Sequence, residues 1–327
     1  MLLSIGDLRV TFRTRHGRVT ALDGVSLGVE AGETLGVVGE SGCGKSITAL
    51  AIMGLVPSPH GAVSGGSITL AGEELVGSKP ARMRALRGSE IAMIFQEPMT
   101  SLNPVYSAGD QIAEAIMLHQ NVGHAQAFKD AVALLDRVGI PEAARRAHDY
   151  PHQLSGGMRQ RVMIAMAVSC RPRVLIADEP TTALDVTVQA QIFDLLNDIQ
   201  REFGTAIILI THDMGAIAEM ADRVAVMYAG RVIEEGSADA ILDHPKHPYT
   251  KGLIACIPAL GKEDAEGRPV PLREIPGVVP PLHLLGQGCA FRERCAERYG
   301  PCAARIPLLG GDPAHPAACH AVAEGRI

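Results

Sequence analysis

Tryptophan is absent from this chain, and aromatic residues make up only 3% of it. Surfaces that bind single-stranded nucleic acid stack bases on aromatic side chains, and so few rings give no such platform. No run of Lys or Arg stands out either, with 30 basic residues against 36 acidic ones and a net charge of −6. The electrostatic footprint of a DNA- or RNA-binding protein is therefore missing, and no nucleic-acid partner is expected. Apolar runs are short, and none approaches the ~20 residues that a membrane-spanning helix needs. The opening MLLSIGDLRVTFRTRHG meets Asp7, Arg9 and Arg13 too early to supply the apolar core of a signal peptide. These absences predict a soluble protein in a reducing compartment, whose connection to any membrane runs through partners.

What is present is a chain of 327 residues, 47% of them hydrophobic, long enough for one large core and a smaller appended domain. Strand patterns are read at 2–12 and 25–38, with a buried strand at 34–38, and again at 67–70, 91–95, 174–177, 206–210 and 224–227. Helical spacing is read at 45–53, 109–138, 156–169 and 187–203. Short apolar strands alternating with helices predict an α/β domain around a mostly parallel sheet. The mainly helical stretch 97–172 interrupts that alternation. The expected organisation is a core of residues 1–96 and 173–240, an inserted helical subdomain at 97–172, and a Pro-, Gly- and Cys-rich extension at 241–327.

Gly39, Glu40, Ser41, Gly42, Cys43, Gly44, Lys45 and Ser46 fit the pattern G-x-x-x-x-G-K-[ST], between a predicted strand and a predicted helix. Glycines let the backbone wrap closely around phosphates, and successive N–H groups at a helix N-terminus form an anion nest. Lys45 would neutralise the β- and γ-phosphates, and the Ser46 hydroxyl would ligate Mg²⁺. On its own the pattern also admits an ordinary Gly-rich turn. Further along, an apolar strand ends in Asp178 and Glu179, at the sheet edge where ligands of parallel sheets bind. Asp178 is the candidate Mg²⁺ ligand and Glu179 the candidate general base. Ser155, Gly156 and Gly157, followed by Gln160, open a helix and offer a second anion-binding N-terminus. Taken alone, that segment reads equally as an N-cap with flexible glycines.

Together these segments resemble the ABC ATPases. LSGGMRQR matches the signature of that family, which ordinary P-loop enzymes lack. Gln96 matches the Q-loop glutamine (a further Mg²⁺ and water contact), Asp185 the D-loop and His212 the switch histidine. Phe12 falls where the family places an aromatic that stacks on adenine, although Tyr is commoner there. The resemblance implies a P-loop NTPase fold: a RecA-like, mostly parallel sheet core with an N-terminal antiparallel part, an inserted helical subdomain and a small extension. It also implies that ATP lies between the P-loop of one subunit and the signature of another, so that Ser155, Gly156, Gly157 and Gln160 act on the partner's nucleotide. Catalytic roles then fall to Glu179, His212 and Gln96.

AIMGL after the P-loop, MIFQEPMTSLNP around Gln96 and HPYTKGLIACIP beyond the core resemble the ATPase subunits of bacterial dipeptide and oligopeptide importers. Related nickel and glutathione importers are close by. This branch implies a second homologous ATPase or a homodimer, two transmembrane permease subunits and an extracytoplasmic solute-binding protein. The chain would then sit peripherally on the cytoplasmic side of the inner membrane. Of seven Cys residues, Cys289, Cys295, Cys302 and Cys319 crowd the C-terminal stretch. Their spacing matches neither zinc-finger pairs nor common ferredoxin runs, and it suggests a thiolate site without naming the metal. The importer resemblance implies a [4Fe–4S] cluster there, with Zn²⁺ as the alternative.

Overall fold

The computed structural model describes residues 1–15, 17–97, 101–182, 184–257 and 274–327. The chain begins with β1 (Leu3–Thr14), β2 (Gly17–Val29), β3 (Thr34–Val38), α1 (Lys45–Ile52), β4 (Gly61–Leu70), β5 (Glu73–Glu74), α2 (Pro80–Leu86) and β6 (Ile91–Ile94). Helices α3 (Ala108–His119), α4 (His124–Arg137), α5 (Ala143–Arg146) and α6 (Gly156–Val168) follow. Alternation then resumes through β7 (Val174–Asp178), α7 (Val186–Phe203), β8 (Ala206–Thr211), α8 (Met214–Met220), β9 (Arg223–Tyr228) and β10 (Arg231–Ser237). Short helices α9 (Ala238–Asp243), α10 (Pro248–Ala255), α11 (Gly300–Ala304) and α12 (His320–Ala323) lie in the C-terminal segment.

Among the described residues the strands form two sheets. One is antiparallel, in the order β2-β1-β4-β5; the other runs β10-β9-β3-β8-β7-β6. All neighbours in the second sheet are parallel except the β9–β10 pair. The inner strands are buried on both faces, which explains their unbroken apolar sequences. Leu35, Val37, Val174, Ile176, Ile208 and Ile210 point to the antiparallel sheet and α1. Leu175, Ala177, Ile207, Leu209, Val224 and Val226 point the other way, into a core shared with α3, α4, α6 and α7. Alternate residues along each strand thus bind the sheet to two different layers.

Two stretches with one continuous apolar pattern divide, the first of them at the start of the strand read at 34–38. The pattern at 25–38 splits at a turn containing Gly32 (φ +71°). β2 then pairs in the antiparallel sheet and β3 in the parallel one. The helical stretch 109–138 breaks after Gln120, which turns extended, and resumes behind Gly123. Neither break changes the apolar period, so the period alone does not expose it.

The C-terminal segment packs on the large core. Phe291 and Ala318 are buried in the cluster that contains the helices. Its backbone also touches β10: the Ala318 N–H donates to the Ile233 carbonyl at 2.7 Å and the Glu235 N–H to that of Pro316 at 3.1 Å. Behind this contact Glu234 is fully buried and accepts from the Lys246 and His247 N–H groups and from the His315 ring.

The expectation of a metal cluster in this segment is corrected. Among the described residues there is no group of three or more His, Cys, Asp or Glu side chains able to hold a metal ion. Cys289, Cys295, Cys302 and Cys319 are free thiols, near enough for Cys289 to sense the charge of the other three. Burial pushes the Cys289 thiol up to about 11 and raises that of Cys295 as well. Neither the [4Fe–4S] cluster nor its Zn²⁺ alternative is supported, and the contacts seen to hold the segment are apolar packing, hydrogen bonds and the ion pair between Arg294 and Glu40.

Candidate functional site

The sheet order brings four chain segments to one edge. β3 is flanked by β9 and β8, β8 by β7, and β7 by β6. All run in the same direction, so the residues that follow them emerge side by side: the Gly39–Ser46 loop after β3, Asp178–Glu179 at the end of β7, His212 after β8 and Gln96 after β6. Ligands of open parallel sheets bind at this carboxyl edge.

The loop after β3 depends on its glycines for two reasons. Gly39, Gly42 and Gly44 have φ of +151°, +81° and +112°, values that L side chains rarely adopt. A Cβ on Gly39 would also lie 2.3 Å from the Met227 carbonyl oxygen, and one on Gly44 2.7 Å from the Leu22 side chain. Lys45 opens α1 and is buried; its Nζ donates to the Gly39 carbonyl at 2.6 Å and to that of Glu40 at 3.2 Å. Cys43 is fully buried, and desolvation raises its thiol above the ordinary value although Lys45 opposes this. It is a small packing residue under the loop.

Asp178 is also buried, and burial raises its carboxyl above the usual range, with a hydrogen bond from Ser46 working against the rise. Its Oδ1 is buried without a hydrogen-bond partner. An orphaned carboxylate oxygen beside a hydroxyl and a buried Lys, at the mouth of a phosphate-type loop, is where a cation would be satisfied.

Glu179 collects the other groups. Gln96 Nε2 donates to its Oε2 at 2.8 Å, and the Thr182 hydroxyl donates to the same oxygen at 3.0 Å. His212 Nδ1 lies 3.1 Å from Oε1. Burial alone would raise this carboxyl, but the hydrogen bonds from His212 and Thr182, the charge of His212 and the bond from Gln96 bring it below its ordinary value. The Glu179 backbone stands at φ +48°, a strained setting for a residue other than Gly. Its N–H is tied to the Ile210 carbonyl of β8 at 2.8 Å, which fixes the carboxylate beside His212.

Ser155, Gly156, Gly157 and Gln160 lie apart from this constellation. Ser155 caps α6, its Oγ accepting from the Met158 N–H at 3.3 Å, and it is exposed together with Gly156. A Cβ on Gly156 would meet nothing within 4 Å. Gln160 is turned into the core, with its Nε2 unpartnered. Asp185 caps α7 through the Val188 N–H at 2.9 Å. Phe12 sits on β1 opposite Gly61, where a Cβ would lie 2.5 Å from the ring. Sequence reasoning passed over Thr182, Tyr249 and Arg294. The Tyr249 hydroxyl accepts from the Glu40 N–H at 2.8 Å, and Arg294 donates to both Glu40 carboxylate oxygens at 2.6 and 3.0 Å. Thr182 carried a local signal, a hydroxyl in the turn directly after the acidic pair. Tyr249 lies within the HPYTKGLIACIP segment, but neither it nor Arg294 carries a local sign of its contact with the phosphate loop.

A phosphate loop at the centre of a parallel sheet, an acidic pair at the end of β7 on the far side of β8 and a histidine after β8 against the second acid define a P-loop ATPase. Comparisons with known proteins place it more closely. The family described as "ABC transporter" matches residues 22–182, and "Oligopeptide/dipeptide transporter, C-terminal region" matches 233–302. The chain is 51% identical over 319 residues to the oligopeptide transport ATP-binding protein OppD of Salmonella typhimurium, covering 98% of this chain and 93% of that protein. It is 48% identical to the dipeptide transport ATP-binding protein DppD of Bacillus subtilis, covering 92% of this chain and 88% of that one. Among solved structures it resembles the ATP-binding cassette MJ0796, a dimer in a post-hydrolysis state bound to ADP and Pi. The TM-score is 0.66 at 26% identity, over 72% of this chain and 98% of that one. This chain belongs to the ATP-binding proteins of ABC transporters, in the oligopeptide and dipeptide branch. It is an ATPase with the cassette fold.

Proposed function

We propose that the chain hydrolyses ATP to drive import of dipeptides or oligopeptides, as one of two paired ATPase subunits beneath two permease subunits fed by an extracytoplasmic solute-binding protein. No helix among the described residues is long and apolar enough to cross a membrane. A peripheral position on the cytoplasmic face, docked to permease subunits through the helical insert 97–172, fits that observation. The core at 1–96 and 173–240 and the extension at 241–327 complete this division of labour.

The observation that carries the catalytic part is the convergence of Gln96, Thr182 and His212 on the Glu179 carboxylate. In our reading the N–H groups and Lys45 of the Gly39–Ser46 loop hold the β- and γ-phosphates. Ser46, Asp178 and Gln96 would hold Mg²⁺, which neutralises charge developing on those phosphates. Glu179 accepts a hydrogen bond from the attacking water and takes its proton as the water oxygen bonds to the γ-phosphorus. The bond from that phosphorus to the bridging oxygen breaks, and ADP leaves with the electron pair. Phosphoryl transfer passes through a loose transition state, so orientation matters more than base strength. That suits a carboxylate held ionised and fixed on three sides. His212 steadies Glu179 and reaches the γ-phosphate, and Phe12 supports the adenine. Ser155, Gly156 and Gly157 serve the partner's nucleotide, with Asp185 at the junction between subunits; Gln160, expected to join them, is instead buried in the core behind them.

Reconstitution with the membrane subunits and binding protein of the same system tests this reading. ATP turnover that rises on adding peptide is the expected result; a rise with nickel or glutathione and none with peptide would remove the peptide assignment.

A further inference from the structure

Glu40 places a carboxylate inside the phosphate-binding loop. A negative charge there opposes a polyphosphate unless it is compensated. The compensation comes from 254 residues away in sequence: Arg294 grips both carboxylate oxygens, at 2.6 and 3.0 Å. The Arg294 side chain is only 5% exposed. It is held by the Pro276 carbonyl at 2.8 Å, and its guanidinium carbon lies 5.8 and 5.9 Å from the ring centroids of Phe291 and Tyr228. A two-pronged, desolvated Arg–carboxylate contact is the strong form of an ion pair. Tyr249 adds a second hold through the Glu40 N–H.

Behind these contacts, Tyr228, Tyr249 and Phe291 pack edge to face with centroids 4.7 to 5.4 Å apart. The chain has only five Tyr and six Phe, and three of those rings meet directly behind the phosphate loop. Tyr228 ends β9, the strand beside β3, while Tyr249 and Phe291 come from the C-terminal segment. The assembly therefore ties that segment to the loop by charge, by hydrogen bond and by packing.

We propose that Arg294 is a positioning residue for nucleotide binding: it neutralises Glu40 and, with Tyr249, fixes the loop backbone, making the C-terminal segment part of the ATP site. The inference rests on the reading of Gly39–Ser46 as the phosphate cradle. It goes further by assigning a cause, an uncompensated carboxylate, to the loss of affinity expected when the contact is broken.

The test is equilibrium ATP binding to the full-length chain, measured for wild type, Arg294→Gln, Glu40→Gln, the double variant and Lys45→Ala. Arg294→Gln should weaken ATP binding about tenfold, the scale of one lost charge-assisted contact. The deficit should shrink at high salt, because screening weakens repulsion between exposed charges. The double variant should bind several-fold tighter than Arg294→Gln and close to Glu40→Gln alone. Rescue by removing the opposing charge would not follow if the segment only supported folding. Arg294→Lys, which keeps the charge and loses the fork, should fall between wild type and Arg294→Gln and serves as the readout if the Gln variant does not fold. Unchanged affinity in both Arg294 variants, or no rescue in the double variant, overturns the proposal. If Lys45→Ala also binds ATP normally, the cradle reading itself is wrong; if only Lys45→Ala loses binding, the cradle stands and the role of Arg294 falls.

Discussion

Glu179 is held by geometry that a strand ending in two acids does not announce. Its backbone φ of +48° is a setting of order 1–3 kcal/mol above an ordinary one. The N–H bond to Ile210 and three side-chain contacts maintain it. Changing Glu179 to Gln preserves its shape and removes the ionised carboxylate. We expect ATP binding to persist while turnover falls about 10²- to 10⁴-fold, the usual worth of a positioned acid–base group. Binding and single-turnover assays separate the two effects, and turnover near the wild-type rate would exclude Glu179 as the base. Lys45, Asp178, Glu179 and His212 were legible because each lies within a few residues of a strand end or a Gly-rich turn. Arg294 was not, because the partner that gives it meaning is 254 positions distant. Only the fold brings the two together.

Among the elements, the five-residue strands β3 and β7 were read almost to the residue. They are buried on both faces, and their apolar runs stop where the chain meets the site. Longer patterns were read less well: the break between α3 and α4 and the turn between β2 and β3 leave the apolar period intact. Helix α10 shows a different limit. Its N-cap is His247, fully buried, whose Nδ1 accepts from the Tyr249 N–H at 3.0 Å. The sequence gives a loop histidine in a Pro-rich stretch, with no sign of this role. Burial, followed by the charge of Lys251, pushes His247 down to about 3, whereas the unfolded chain titrates near ~6.5. As pH falls, the unfolded chain takes up this proton first. The contribution of His247 to stability is therefore complete above about pH 6.5 and declines from there towards pH 3. His247→Asn keeps a capping acceptor and removes the titration. Its unfolding free energy should fall less steeply between pH 6.5 and 4, by up to about 1.4 kcal/mol per pH unit. Chemical denaturation across that range checks it, and parallel pH profiles for the two proteins would count against the assignment.

For the whole molecule, the exposed N-terminus of α6 and the phosphate loop belong to separate parts of one chain. Ser155 and Gly156 face open space, with none of the Glu179 contacts. This suits an arrangement in which each nucleotide is completed by a second subunit. One chain then has half of each site. Replacing Lys45 by Ala disables the loop of its own chain, and replacing Ser155 by Arg blocks the surface offered to the partner. Either variant alone should be nearly inactive. The most direct test pairs this chain with itself and measures the ATPase rate of the two variants mixed in equal amounts. Shared sites predict that activity returns on mixing, because the intact loop of one chain meets the intact Ser155–Gly157 segment of the other. A rate no greater than the sum of the two separate variants would contradict the shared site.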